Sequence, residues 1–236
     1  MRVGTDGVLI GAWCSAEGKH NVLDVGTGTG VIALMVAQRS PFAVVDAVEI
    51  DEESFEEASE NFATSPWQDR LLAVKADFRE YVHGCAKSYD LIVSNPPFFT
   101  NGALPPDSGR KVARHCTSLT FVDLLQGAEQ LLTDDGRVAI VTPADAERQI
   151  EAAVIECDLR TVRKTYVFSK PESQPRRILW EMMRSTLLCR ESGDNESALV
   201  EDKYPRPVVD RLTIAESSGA YTPQYRSLTS PYYLFM

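Results

Sequence analysis

Along the first two thirds of this chain, short apolar runs alternate with stretches of helical spacing, and no other feature constrains the fold as strongly. The apolar runs are 21–25, 43–50, 70–76, 89–94 and 136–142; the helical stretches are 29–39, 51–63, 119–132 and 144–156. Strand–helix alternation calls for a mostly parallel, doubly wound sheet with helices on both faces, a Rossmann-like α/β architecture. Two further strands, 160–168 and 178–189, follow with only the polar link SKPESQPRR near their junction, so an antiparallel hairpin is expected at the C-terminal edge. We read the whole of 1–236 as one domain. Two long loops are expected, 98–117 and 191–202; the first leaves the carboxyl end of the fourth strand, where open α/β sheets bind ligands.

Composition narrows the class. The chain is 44% hydrophobic and 25% charged, and no apolar run approaches the ~20 residues that a bilayer span needs. MRVGTDG lacks the pattern of a signal peptide. Five scattered cysteines (Cys14, Cys85, Cys116, Cys157, Cys189) form no C-x-x-C pair, which argues for a reducing, cytoplasmic location and against a disulfide framework. The three histidines (His20, His83, His115) suggest no metal site, and nothing implies an obligate protein partner or a membrane. The net charge is −10, yet it is unevenly spread. Residues 46–60 hold eight acids in fifteen positions, whereas 160–190 hold eight Lys/Arg against two acids. An acidic lobe and a basic strip are consistent with a nucleic-acid partner, and equally with solvated helices and surface arginines.

The glycine turn DVGTGTG carries Asp24, Gly26, Gly28 and Gly30 between the first strand and its helix. Its glycines allow close approach of a ligand to the backbone. Glu49, in VEID with Ile50, ends the second strand, where a carboxylate can accept from a ribose diol. A dinucleotide would also suit these features. However, the spacing lacks the later glycine of G-x-G-x-x-G, and an acid ahead of the turn would repel a pyrophosphate. That acid suits the cationic end of S-adenosyl-L-methionine. Asp77-Phe78 closes the third strand; the pair can hold an adenine, or it can be a helix cap followed by a core phenylalanine.

The fourth strand runs into SNPPFF, residues 94–99. Two prolines fix the exit of the chain and cannot donate to a sheet ladder. Asn95 Oδ1 and the Pro96 carbonyl can both accept from one planar NH2 group, favouring the pyramidal, cationic form that develops as it attacks a methyl group. Phe98 can stack on the acceptor ring. The combination resembles the amino-methyltransferases with an N/D-P-P-Y/F/W motif, which act on adenine N6, cytosine N4, guanine N2 or a glutamine amide.

Further residues bring the resemblance closer. RVGTDGVLIGAW (2–13), SPWQDR (65–70), PDSGRKVARH (106–115) and YRSLTSPYYLFM (225–236) stand in the order found in the bacterial tRNA-Val adenine-N6 methyltransferase family, and the likeness runs over nearly the whole chain. It implies a class I methyltransferase fold, S-adenosyl-L-methionine as cofactor and a tRNA as partner, modified at an adenosine beside the anticodon. By position, Thr5 and Asp6 would help to seat the methionine end of the cofactor, Gly26, Gly28 and Gly30 its loop, Glu49 the ribose, and Asp77 with Phe78 the adenine. Asn95, Pro96 and Phe98 would take the base; the family more often has tyrosine where this chain has Phe98. Arg110, Lys111, Arg114 and His115 in the first long loop are candidates for RNA phosphates, with Arg176 and Arg177 of the basic strip extending the grip. Competing readings are methylation of an rRNA guanine or a release-factor glutamine, a nicotinamide oxidoreductase, and an RNA-binding module without catalysis.

Overall fold

The computed structural model describes residues 4–97, 119–185 and 205–233. Eight strands form one sheet: β1 (Asn21–Val25), β2 (Val44–Glu49), β3 (Leu71–Lys75), β4 (Tyr89–Ser94), β5 (Leu132–Pro143), β6 (Leu159–Phe168), β7 (Pro175–Arg184) and β8 (Val208–Thr213). Their spatial order is β3-β2-β1-β4-β5-β7-β6-β8, and β7 alone runs against its neighbours. The expected mostly parallel sheet and the β6–β7 hairpin are both present. The outermost strand at that end is β8, which pairs in parallel with β6. No strand was expected there, because a short edge strand with exposed Val208 and Val209 carries no buried alternation to announce it.

The helices are α1 (Thr5–Trp13), α2 (Val31–Arg39), α3 (Glu52–Ala63), α4 (Phe78–Gly84), α5 (Phe121–Leu131), α6 (Glu147–Glu156) and α7 (Pro223–Thr229). Successive strand residues point to opposite faces, and the core divides accordingly. Val22, Leu91, Val93, Ala139 and Val141 pack with residues of α1, α2, α3 and α7. Leu23, Ile92, Val138 and Ile140 pack with residues of α4, α5 and α6. Local chemistry sets the helix starts. Asp51 caps α3 by accepting from Ser54 N at 3.1 Å, and Thr120 and Asp123 cap α5 reciprocally. Thr222 caps α7 ahead of Pro223 at its first position.

No helical periodicity marks α1 in the sequence. It is buried on every side from Gly7 to Trp13, so it has no polar stripe to betray its period. Its glycines let it lie close to α2: a Cβ on Gly11 would stand 2.8 Å from Met35 Sδ. Among the described residues no helix is long and apolar enough to cross a membrane.

Candidate active site

The parallel register brings the ends of β1, β2, β3 and β4 to one rim of the sheet. Val25 pairs with Val48 on one side and Ser94 on the other, and Glu49 pairs with Lys75. The residues that follow these pairs (Gly26, Ile50, Ala76 and Asn95) therefore leave the sheet together. The Ser94 hydroxyl donates to the Val25 carbonyl at 2.7 Å, tying β4 to β1 just before the Asn95-Pro96 turn. Asn95 is half-buried and Pro96 buried. Phe98, Arg110, Lys111, Arg114 and His115 lie outside the described residues.

The glycine turn is held by β2: the Val48 carbonyl accepts from both Gly26 N (2.9 Å) and Thr27 N (3.1 Å). Gly26, Gly28 and Gly30 all have positive φ, at 69°, 58° and 82°. Their surroundings differ. A Cβ on Gly26 would meet nothing within 4 Å, whereas one on Gly30 would stand 2.4 Å from Phe62 Cε1. Gly26 leaves open space at the rim. Gly30 is required by the packing of α3 against the start of α2.

Glu49 is buried and its carboxylate organises the turn. One oxygen accepts from Gly28 N at 2.8 Å, the other from Ile50 N and Asp51 N at 2.9 Å each. One acceptor position remains on the oxygen bound to Gly28. Glu49, Gly26 and Ile50 line a cleft with Ala76, Asp77, Phe78 and Leu119. Asp77 is the N-cap of α4, accepting from Arg79 N at 2.8 Å and pairing with the Arg79 guanidinium, which holds its carboxyl below the usual range. Phe78 is a buried core residue against α5. The arrangement is the helix cap followed by a core phenylalanine, and the same two residues line the cleft. Leu119 and Ala76 were not expected there. Leu119 enters from just ahead of the Thr120 cap of α5, far along the chain, and no local signal marks it.

Asp24 is fully buried. Its Oδ2 accepts from the Thr27 hydroxyl at 2.6 Å and from Ala33 N at 3.2 Å, while Oδ1 is buried without a hydrogen-bond partner. Burial pushes its pKa up to about 7, moderated by those two hydrogen bonds, and the nearby Glu49 charge acts in the same direction as burial. A buried carboxylate with one unsatisfied oxygen favours either a proton or a cation. The site therefore fits a cofactor with an ammonium and a sulfonium, and it does not fit a pyrophosphate.

Asp6 and Arg177, expected at two different ligands, meet each other: Arg177 Nε lies 2.8 Å from Asp6 Oδ2. Thr5 is exposed at the start of α1, and Arg176 is exposed on β7. Most of the basic strip is internally committed. Arg163 pairs with Glu181 and stacks on Trp13; Lys164 is buried between Glu147 and Glu151; Arg184 pairs with Glu129. It is therefore not the continuous basic surface that its composition suggested. Among the described residues no cluster of three or more His, Cys, Asp or Glu could hold a metal.

Comparison with known proteins settles the family. The methyltransferase small domain family matches residues 8–169. A tRNA1(Val) (adenine(37)-N6)-methyltransferase of Bacteroides thetaiotaomicron is 41% identical over 100% of this chain and 92% of its own length. One of Trichodesmium erythraeum is 39% identical over 99% of this chain and 91% of its own. The chain belongs to the tRNA1(Val) (adenine(37)-N6)-methyltransferase family. This family member shares its fold with a predicted O-methyltransferase of Agrobacterium tumefaciens (TM-score 0.67, 19% identity, 96% of each chain). It also shares its fold with TrmN from Thermus thermophilus (TM-score 0.54, 22% identity, 75% of this chain and 48% of that one).

Proposed function

We propose that this chain transfers a methyl group from S-adenosyl-L-methionine to the N6 amino group of adenosine 37 in a valine tRNA. It would do so in the cytoplasm, as one domain over 1–236, on the anticodon stem-loop. The observation that carries the reading is the position of Asn95. It follows the Val25–Ser94 pair, so the Asn-Pro turn and the glycine turn leave adjacent strands at the same rim.

The cofactor supplies an electrophilic methyl group on a sulfonium. Asp24 and the start of α1 would hold its cationic end, with Gly26 allowing the backbone to approach. Glu49 would accept from the ribose through its remaining acceptor position, and Asp77, Phe78, Ile50 and Leu119 would enclose the adenine. Asn95 Oδ1 and the Pro96 carbonyl would accept from the two hydrogens of the adenine amino group, drawing its lone pair out of the ring as charge develops. Phe98 would stack on the target base. No strong base is required, because the proton can leave after transfer. A base in a folded anticodon loop is already accessible or readily splayed out.

The test is incubation of purified protein with isotopically labelled S-adenosyl-L-methionine and unmodified valine tRNA, followed by nuclease digestion and nucleoside mass spectrometry. Label in N6-methyladenosine that maps to nucleotide 37 supports the reading. Label in guanosine, in protein glutamine, or in no tRNA would overturn it.

A further inference from the structure

Arg176 and Arg177 are adjacent in sequence but stand in different environments. Between β6 and β7 the register passes from Val167↔Arg177 to Phe168↔Pro175, so Arg176 is the extra residue of a β-bulge. Bulges of this kind take a side chain out of the pairing and re-aim it. The bulge is fixed from within: Arg177 Nη1 donates to the Arg176 carbonyl at 3.0 Å, and Arg177 Nε is held by Asp6. Arg177 is thus an anchor, and Arg176 is the exposed side chain that the anchor presents.

Two strands away, Arg211 of β8 lies with its guanidinium carbon 3.7 Å from the centre of the Phe168 ring and donates to the Pro171 carbonyl at 2.6 Å. Stacking and two hydrogen bonds, the second from Nε to the Thr213 hydroxyl at 3.5 Å, fix its plane and leave most of its five donors unused. Lys170 is exposed on the turn between β6 and β7. Arg163, Lys164 and Arg177, by contrast, are each paired with a carboxylate.

These three exposed cations stand at the same rim as Asn95, since Phe168 and Thr213 end strands parallel to β4 in the sheet. They lie two to four strands from β4, about 10–20 Å across the sheet at the usual strand spacing, and further out along it, since Ser94 is level with Ile140, Trp180 and Lys164. On the other side of Asn95 the rim is bounded by α3, whose acids repel a phosphate backbone. Building on the function proposed above, we propose that Arg176, Arg211 and Lys170, at the Phe168 end of β6, form the surface that receives the phosphates of the RNA strand leading away from the target base. The RNA then crosses the rim toward β8 and away from α3.

The test is binding of unmodified valine tRNA by the full chain between 50 and 300 mM salt, together with steady-state kinetics. For Arg176→Ala with Arg211→Ala, the negative slope of log K against log salt should become shallower by roughly 1.4–1.8, as for loss of about two phosphate contacts. KM for tRNA should rise about ten-fold, and cofactor affinity should stay within two-fold. Arg184→Gln removes a charge from the same strip at the opposite end of β7 and should leave the slope unchanged. A wild-type chain that binds and methylates tRNA, beside a double variant with unaltered slope and KM, overturns this surface alone. A wild-type chain that does neither overturns the functional reading and this surface with it.

Discussion

The Asp6 carboxylate and the Arg177 guanidinium, 171 residues apart, meet at 2.8 Å and join the first turn of α1 to the start of β7. Both side chains are about a quarter to a third exposed, at 24% and 32%. The pair therefore contributes about 0.5–1 kcal/mol, as partly screened ion pairs do. Arg177 also fixes the bulge at Arg176, so Arg177→Ala should affect position more than stability. We expect urea unfolding to show a loss of about 1 kcal/mol, and KM for tRNA to rise several-fold. Arg177→Lys should recover stability but not the KM, because a lysine cannot hold Asp6 and the Arg176 carbonyl together in the same planar geometry. Full recovery by lysine would mean that the charge alone matters.

Asp24 predicts a pH dependence for the cofactor. Its ionised form is the one that attracts a cation, and its pKa lies at about 7. Affinity for S-adenosyl-L-methionine should therefore fall about five-fold from pH 7 to pH 6 and about ten-fold more by pH 5. Without cofactor the linkage has the other sign. The folded chain holds the Asp24 proton more tightly than the unfolded chain does, so this group's contribution to stability is complete below about pH 4 and is lost as pH rises through 7. Asp24→Asn should bind weakly at every pH, with a flat profile. Calorimetric titration across pH 5–7 checks this, and an unaltered slope in the variant would contradict the assignment.

The two glycines at the ends of the turn should separate by phenotype. Gly30→Ala forces a methyl group onto the Phe62 ring at positive φ, and we expect a loss of roughly 2–4 kcal/mol in thermal or urea unfolding. Gly26→Ala meets no atom, so only its φ of 69° costs stability, about 1–2 kcal/mol. Its main effect should be on cofactor affinity, by at least ten-fold. Equal loss of stability in the two variants would refute the division.

Asn95→Ala removes an acceptor that is used most in the transition state. Turnover should fall by about 100-fold or more, with cofactor affinity kept within a few-fold. Single-turnover kinetics beside equilibrium binding distinguishes the two. A collapse of cofactor affinity would place Asn95 in the cofactor site instead.

The sequence by itself determined most of the strands and helices, and that the sheet is mostly parallel with an antiparallel hairpin, because hydrophobic periodicity is local. The spatial order of the strands and the edge strand β8 came from the tertiary structure. β1 and β4 begin and end where their apolar runs do, and Asp51 starts α3 by a contact three residues long. The sequence also determined that a glycine turn, Glu49, Asp77-Phe78 and an Asn-Pro turn stand at the ends of four successive strands. Only the tertiary structure decided what those residues touch. α1 has no visible period because it is buried all round, and Leu119 reaches the cleft from 42 residues beyond Asp77 in the sequence. Arg177 and Arg176 are indistinguishable as neighbouring letters, yet Asp6 draws one inward and a bulge turns the other out. Charge pairing is fixed by strand register and helix packing between distant segments, and no local pattern encodes which cations those segments will neutralise.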